Sequence, residues 1–193
     1  MRPILLLPLL LAAAACSGHT VTTVRFDLAS LVPAANQSGS LSLTNATLYL
    51  PDDDGDNLYG NDLNGVALNL PRLDLIEAAR LKVRLNLTNT GSAPASISVE
   101  AHVAPSNDNN IYDGSSDYTV LTGSVNLAPG ESKSLELTAL LDSNNQAQAL
   151  GLIRGGAFRA GLKLSLSGDQ VAYRLQEAWI SASGRLFRLI PDN

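Results

Sequence analysis

The chain has 193 residues, of which 16% are charged and 45% hydrophobic, and its formal net charge is −5. This hydrophobic content is enough for a folded core and excludes a wholly disordered chain. The 13 lysines and arginines are scattered, whereas phosphate binding requires clustered basic residues. We therefore expect one folded domain with no nucleic-acid partner.

The first feature in chain order is an apolar N-terminal segment. Met1-Arg2-Pro3 gives a short basic start, and residues 4–15 are all apolar. As a helix, this run would rise about 18 Å, well short of a hydrocarbon core of about 30 Å. The segment is typical of a secretory signal peptide. We expect residues 1–15 to be removed and residues 16–20 to form a short tether before a domain that spans residues 21–193.

Cys16, the only cysteine of the chain, directly follows Ala13-Ala14-Ala15. This pattern resembles the lipobox of bacterial lipoproteins, in which the cysteine is diacylated and becomes the new N-terminus. The resemblance implies a lipid anchor at Cys16, although Ala13 stands where the family usually has leucine. Small residues at these positions also suit an ordinary signal peptidase, which would leave a secreted protein with a free thiol.

The proposed anchor also implies a location. Two or three acyl chains would hold the protein durably on a membrane, whereas a single chain anchors only reversibly. Ser17, where an aspartate would stand in inner-membrane lipoproteins, resembles the family's sorting signal for the outer membrane. With Cys16 acylated, no thiol remains for a disulfide. The resemblance therefore implies a cell-envelope protein, held at the outer membrane in a cell that has one.

Alternating apolar and polar residues predict β-strands along most of the remaining chain. The pattern is clearest in four segments, residues 81–88, 95–103, 135–141 and 158–166. It is weaker in six others, residues 21–30, 41–50, 66–75, 118–127, 171–182 and 185–190. Breaks in the alternation predict bulges near Asn45 and Val120. Such alternation is typical of antiparallel sheets with one solvated face.

One short helix is predicted over residues 143–154. Ser143 is a good N-terminal capping residue, the segment that follows is rich in alanine and glutamine, and Gly155-Gly156 would end the helix.

The segment from about residue 81 to residue 141 resembles bacterial immunoglobulin-like modules. Its Leu87-Thr88-Asn89-Thr90-Gly91 turn is followed some forty residues later by a Pro129-Gly130-Glu131 turn before another strand. The alternating segments predict an all-β fold, an antiparallel β-sandwich of about nine strands with one short helix, and the resemblance implies that this sandwich is immunoglobulin-like. These motifs consist of residues that favour turns in many folds, so they hardly constrain function.

An acidic loop at residues 51–62 is the candidate metal site. Carboxylates at alternate positions, with Gly55 easing the turn, can converge as oxygen ligands for Ca²⁺. The candidate ligands are Asp52, Asp54, Asp56 and Asp62. The pattern departs from an EF-hand at Asn57, where that motif has glycine, and at Leu63, where it has glutamate. A solvated turn explains the same composition, because Asp, Asn and Gly dominate turns.

Other chemistry-bearing residues are few. Of the two histidines, His19 lies beside the proposed anchor, and His102 falls on the polar face of a strand, where we expect a surface residue. A glycosidase would need two facing carboxylates, and the sequence cannot show which of the candidates would pair, namely Glu77, Glu100, Glu136 and Glu177. Trp179, the only tryptophan, either faces outward, where it can stack on a sugar or partner, or lies in the core, and the core is favoured.

The leading functional hypothesis is a membrane-anchored cell-envelope lipoprotein with a non-enzymatic binding or structural role. It would need no cofactor and would present sandwich loops to a protein or glycan partner. The first alternative is a calcium-stabilised adhesion module that uses the acidic loop, residues 52–62. The second is a hydrolase that depends on carboxylates which the sequence cannot pair.

Overall fold

The computed structural model describes residues 21–42, 46–52, 55–56, 58, 60–70 and 76–185. These residues form ten β-strands and one α-helix, α1 (Ala147–Gly155). The strands are β1 (Val21–Asp27), β2 (Ser38–Leu41), β3 (Thr47–Leu50), β4 (Val66–Asn69), β5 (Ile76–Asn89), β6 (Ala95–Pro105), β7 (Tyr118–Leu127), β8 (Ser132–Leu141), β9 (Ala157–Ser167) and β10 (Val171–Arg185). The four clearest predicted strands are all present, within β5, β6, β8 and β9.

The strands form two antiparallel sheets. Sheet A has the order β1-β10-β5-β8, with β2 also beside β10, and sheet B has the order β3-β9-β6-β7, with β4 also beside β9. Strands β1 and β2 pair with successive parts of β10, and β3 and β4 with successive parts of β9. Each of these pairs is therefore one long strand interrupted by a loop. The predicted all-β sandwich with one short helix is confirmed.

The strand order is that of a jelly roll. With the interrupted strands each counted once, the described chain forms eight strands in two four-stranded sheets. Among the described strands, only β6 and β7 are both consecutive in the chain and paired. An immunoglobulin domain instead keeps several consecutive strands side by side in one sheet. The order that the immunoglobulin resemblance implied is therefore not the observed one, because turn motifs do not specify which sheet the next strand joins.

The core lies between the two sheets. The inward positions of the long strands are apolar and almost fully buried, as Leu85 and Leu87 of β5 and Ile97 and Val99 of β6 show. Helix α1 closes one end of the sandwich with three buried side chains, Ala149, Leu150 and Ile153. Burial of apolar surface, at about 25 cal/mol per Å², is the main force that holds the two sheets together.

Two local predictions can be compared with the structure. The helix begins at Ala147 rather than Ser143, because Gln146 adopts a left-handed backbone conformation, and Gly156 ends the helix with another left-handed residue. The bulge near Val120 is confirmed, since Ala101 pairs with Leu121 and His102 with Thr119, which leaves Val120 between them. The bulge predicted near Asn45 lies outside the described residues.

The sandwich has two distinct ends. Strand β1 begins at Val21, which pairs with Arg185 at the end of β10, and we call this end proximal. The opposite end, which we call distal, carries three short turns, residues 90–94, 128–131 and 168–170. In the described part of the chain, no helix is long and apolar enough to cross a membrane.

Candidate functional site

Two carboxylates of the acidic loop bind the loop's own nitrogen atoms. Asp52 accepts a hydrogen bond through Oδ2 from the backbone N–H of Gly60. Asp56 accepts from the N–H of Leu58 through Oδ1, at 2.7 Å, and from the side-chain amide of Asn61 through Oδ2, also at 2.7 Å. Such bonds are the usual way in which aspartate stabilises a turn.

The third described candidate ligand, Asp62, is buried and accepts from the N–H of Asn64 at 2.8 Å. Across the described ranges, no group of three or more His, Cys, Asp or Glu side chains is placed to hold a metal ion. Asp54 lies outside the described residues. The described carboxylates therefore lie in one loop and accept hydrogen bonds from donors of that same loop. Calcium binding stays a prediction, and it depends on Asp54.

A partly buried cluster of ionisable side chains lies on the outer face of sheet B. His102 of β6 is only 5% exposed. Its Nδ1 lies 2.9 Å from Oδ2 of Asp117, and its Nε2 lies 3.2 Å from Oε2 of Glu100. The Nζ of Lys163 lies 3.4 Å from the same oxygen of Glu100. Both ring nitrogens face carboxylates, so only the doubly protonated ring can donate to both.

The loop between β6 and β7 covers this histidine. The ring of Tyr112 packs edge-on against that of His102, with 5.0 Å between the centroids. The Tyr112 hydroxyl lies 3.4 Å from the carbonyl oxygen of Leu50 and 3.3 Å from that of Leu162. A Cβ at Gly161 would collide with this hydroxyl, so glycine there lets the loop lie against the sheet.

The expectation that His102 is a surface residue was therefore wrong. Alternation placed it correctly on the outer face of the strand, but the β6–β7 loop folds back over that face and removes it from solvent. Loop placement is a tertiary effect, so no local sequence signal could have shown it.

The electrostatics of this cluster favour charge pairing. Burial by itself would raise the pKa of Glu100. The hydrogen bond from His102 and the charge of Lys163 outweigh this effect, so the pKa lies below its usual value. Burial raises the pKa of the Tyr112 hydroxyl, and the nearby charge of Asp62 adds to this effect. Because carboxylates engage both nitrogens of His102, the ring has no free nitrogen with which to activate a nucleophile. The cluster is suited to fastening the loop to the sheet.

A second surface lies on the same sheet toward the distal end. Small hydroxyl side chains stand side by side on four adjacent strands, namely Thr47, Ser165, Ser98 and Ser124. Ser96, Ser167 and Asn126 extend this surface by one further row. Two adjoining depressions of about 330 and 540 Å³ share Ser96 and Ser167. We call this region, defined by these seven residues, the hydroxyl face.

The charged residues that border the hydroxyl face are paired with each other. On the proximal side, Lys163 lies 3.4 Å from Glu100. On the distal side, Lys133 lies 3.0 Å from Glu131. The seven residues of the face are themselves neutral, and their hydroxyl and amide groups both donate and accept hydrogen bonds. Such a surface is suited to a neutral, hydrogen-bonding ligand.

The distal turns beside the hydroxyl face are cross-linked by Asn89, which is 0% exposed. Its side-chain amide donates to the carbonyl oxygens of Ala93, at 2.8 Å, and Leu127, at 3.2 Å. Its side-chain oxygen accepts from the N–H of Gly91 at 2.9 Å. These bonds join the β5–β6 turn to the end of β7. A surface held in this way loses little conformational entropy when it binds a partner.

Trp179 lies on the outer face of sheet A. Its neighbours Ala178 and Ile180 are buried between the sheets. The guanidinium carbon of Arg25 stands 4.2 Å from the centroid of its ring. The prediction of a core tryptophan was therefore wrong. The signal that could have shown this is the pair of small and apolar neighbours at inward positions, which leaves the outward position to Trp179.

Comparison with known proteins gives no family. No family model matches the sequence, and no curated protein matches it. Several solved structures resemble the chain at low sequence identity.

The first likeness is to a structure of infectious bursal disease virus, Gt strain, with a TM-score of 0.40 and 10% identity over 86% of this chain and 32% of that one. Eiger TNF from S. frugiperda gives a TM-score of 0.34 and 12% sequence identity, over 62% of this chain and 66% of that one. A CocE/NonD family hydrolase from Staphylococcus aureus gives a TM-score of 0.31 and 8% sequence identity, over 85% of this chain and 33% of that one. The chain spans about a third of the viral chain's length. These likenesses carry no argument about activity or partners.

Proposed function

We propose that the protein is a lipoprotein of the bacterial cell envelope, anchored through Cys16, that binds an envelope partner without catalysing a reaction. One observation carries the proposal. Cys16, the only cysteine, closes the apolar segment 4–15, and the first strand begins at Val21, five residues later. Cys16 itself lies outside the described residues, so the anchor rests on the sequence and the short spacing to β1.

The length of the tether determines which end stays near the membrane. Five residues reach at most about 18 Å when fully extended. Strand β10, which runs the length of sheet A, has 15 residues, or about 50 Å at the usual rise per residue. Because the tether is much shorter than the sandwich, the anchor keeps the proximal end at the membrane, which would be the outer membrane in a cell that has one.

The hydroxyl face is the surface that we propose for the partner. Its neutral donors and acceptors match a glycan chain or an uncharged protein segment better than an anionic ligand. The turns held by Asn89 keep its distal edge in place. The role is thus non-enzymatic binding by a preorganised sheet surface.

The anchor is tested by expressing the full chain in a bacterium that is fed labelled palmitate. We expect the wild-type protein to carry label and to sediment with membranes, whereas Cys16→Ser carries none because it lacks the acylated thiol. Ser17→Ala is the matched control and should still be labelled. Wild-type protein that is exported but unlabelled would exclude the anchor and leave a secreted protein.

The binding surface is tested with Ser98→Glu, which places a charge at the centre of the hydroxyl face. We expect co-sedimentation with purified cell-wall glycan to fall by about tenfold, since a buried unpaired charge costs well over 1.4 kcal/mol. Ser134→Glu, at an exposed position of sheet A, is the control and should bind as the wild type does. Equal binding by both variants would move the partner to another surface.

A further inference from the structure

Apolar and basic side chains lie together on the outer face of sheet A, near the proximal end. In one row, Arg25 of β1 and Arg80 of β5 flank Ser181 of β10, and Leu140 of β8 stands beside Arg80. In the next row, Trp179 lies between Asp27 and Lys82. We call this region the basic patch. It consists of Arg25, Arg80, Lys82, Leu140 and Trp179, together with Val21, which lies two rows nearer the proximal end on the same face of β1.

The apolar members of the basic patch are unusually open to solvent. Val21 is 55% exposed and Leu140 is 43% exposed, so both rank among the exposed large hydrophobic side chains of the described chain. Trp179 is part-exposed, with the guanidinium of Arg25 over its ring. Scattered exposed apolar residues are common, but these stand on one face, with Leu140 beside Arg80 and Trp179 beneath the guanidinium of Arg25.

The charge of the basic patch is opposite in sign to that of the whole protein. It contains three cations, and Asp27 is the carboxylate that adjoins them in the same rows, whereas the chain as a whole carries −5. Lys82 also contacts Glu136 at 3.0 Å and Glu177 at 3.2 Å, on the distal border of the patch. In the two rows of the patch, three cations thus adjoin one carboxylate, and Glu177, which also interacts with Arg25, borders them.

We infer that the basic patch lies against the anionic headgroups of the membrane in which Cys16 is anchored. The inference rests on the proposed anchor, because Val21 belongs to the patch and is only five residues from Cys16. A tether of at most about 18 Å brings this face within reach of the bilayer surface. Arginine and lysine are attracted to anionic lipid, and tryptophan partitions to the headgroup level.

This docking also fixes the direction of the proposed binding surface. The outer faces of two packed sheets point in opposite directions. When sheet A faces the lipid, the hydroxyl face of sheet B points away from the membrane, where an envelope glycan can reach it. The anchor, the docked face and the partner surface then belong to one arrangement.

Trp179 gives a direct readout, because it is the only tryptophan. The acylated full-length protein is reconstituted into phosphatidylcholine vesicles, with or without phosphatidylglycerol, that contain lipid brominated near the headgroup. We expect stronger quenching of tryptophan fluorescence in the anionic vesicles. The quenching should weaken as salt rises from 0.15 M to 1 M, where the screening length falls from about 8 Å to about 3 Å.

Arg80→Glu should lower the docking equilibrium constant by about thirtyfold, which is about fivefold for each of the two units of charge that change at an anionic surface. Lys133→Glu changes the net charge equally at the distal end and should dock as the wild type does. Arg80 is exposed, so the variant should fold, which its unfolding curve checks.

Each outcome bears on a different claim. The docking alone would be overturned if the protein stays with the vesicles but its tryptophan is quenched equally in neutral and anionic lipid. It would also be overturned if Arg80→Glu leaves the quenching unchanged. Protein that does not stay with the vesicles would overturn the anchor and the docking together. Salt-sensitive quenching that is lost in Arg80→Glu and kept in Lys133→Glu is the result we expect.

Discussion

Asp117→Ala is expected to lower the free energy of unfolding by about 1–3 kcal/mol, the cost of leaving a buried polar group without its hydrogen-bond partner. The Asp117 side chain is 3% exposed and lies 2.9 Å from the buried ring of His102. Its other oxygen accepts a hydrogen bond from the N–H of Gly114 at 2.6 Å. The variant therefore loses the hydrogen-bond partner of the ring and the bond that orders the covering loop.

The measurement is chemical denaturation of the wild type and the variant at neutral pH. Asp113→Ala is the matched control, since Asp113 is an exposed aspartate of the same loop whose carboxylate bonds only within its own turn. We expect the control to lose about 1 kcal/mol or less. Hydrogen exchange of the Tyr112 amide should rise in Asp117→Ala and not in Asp113→Ala, because only the first change releases the loop.

A double variant gives the sharper test. If Asp117 acts through His102, then Asp117→Ala in a His102→Leu background should cost much less than in the wild type, since no ring nitrogen is left without its hydrogen-bond partner. Equal losses in both backgrounds would show that Asp117 stabilises the loop through Gly114 alone.

The sequence was sufficient to predict the strands for a physical reason. Each long strand buries one face, so its apolar residues repeat with period two, as Leu81, Val83, Leu85 and Leu87 do in β5. The extra residue at Val120 was visible as a break in that repeat. Strand prediction succeeded because both features are local.

Strand order was not local in this way. Only one described hairpin, β6–β7, joins chain neighbours within a sheet, while β1 pairs with β10 at the far end of the chain. Turn residues such as Asn89-Thr90-Gly91 end a strand equally well in an immunoglobulin domain and in a jelly roll. The sandwich could thus be predicted, but its topology depends on pairings between distant segments.

The candidate surfaces show the same division. Serines at alternate positions of β6 indicate one polar face, so Ser96 and Ser98 could be placed on the same side from sequence. That Ser165 and Thr47 lie beside Ser98 depends on the register of β9 and β3. The burial of His102 likewise depends on a loop that is anchored by Tyr112, and alternation within a strand does not report such coverage.

Asn89→Ala is expected to cost about 2–4 kcal/mol of unfolding free energy, although the removed group is a neutral amide. Its loss leaves two carbonyl oxygens, of Ala93 and Leu127, and the N–H of Gly91 without their partner. Each unsatisfied polar group in a buried place costs about 1–3 kcal/mol. Because solvent can reach the turn once it loosens, we expect the total to fall below the sum of three full penalties.

Two further variants of β5 separate this effect from a general weakening of the strand. Asn86→Ala, at an exposed position of the same strand, should change stability by less than about 0.5 kcal/mol. Asn89→Asp preserves shape and the acceptor for Gly91 but loses both donated bonds and places a carboxylate against two carbonyl oxygens. It should be at least as destabilising as Asn89→Ala. A mild effect of Asn89→Asp would show that shape, rather than the donated bonds, holds the distal turns.

The same variants connect the distal turns to binding. The β5–β6 turn borders the larger depression of the hydroxyl face through Pro94 and Ala95. If preorganisation of this edge supports binding, Asn89→Ala should weaken glycan co-sedimentation at temperatures where the variant is still fully folded. Asn86→Ala should leave it unchanged. Unweakened binding by folded Asn89→Ala would restrict the binding surface to the strands themselves, around Ser98 and Ser165.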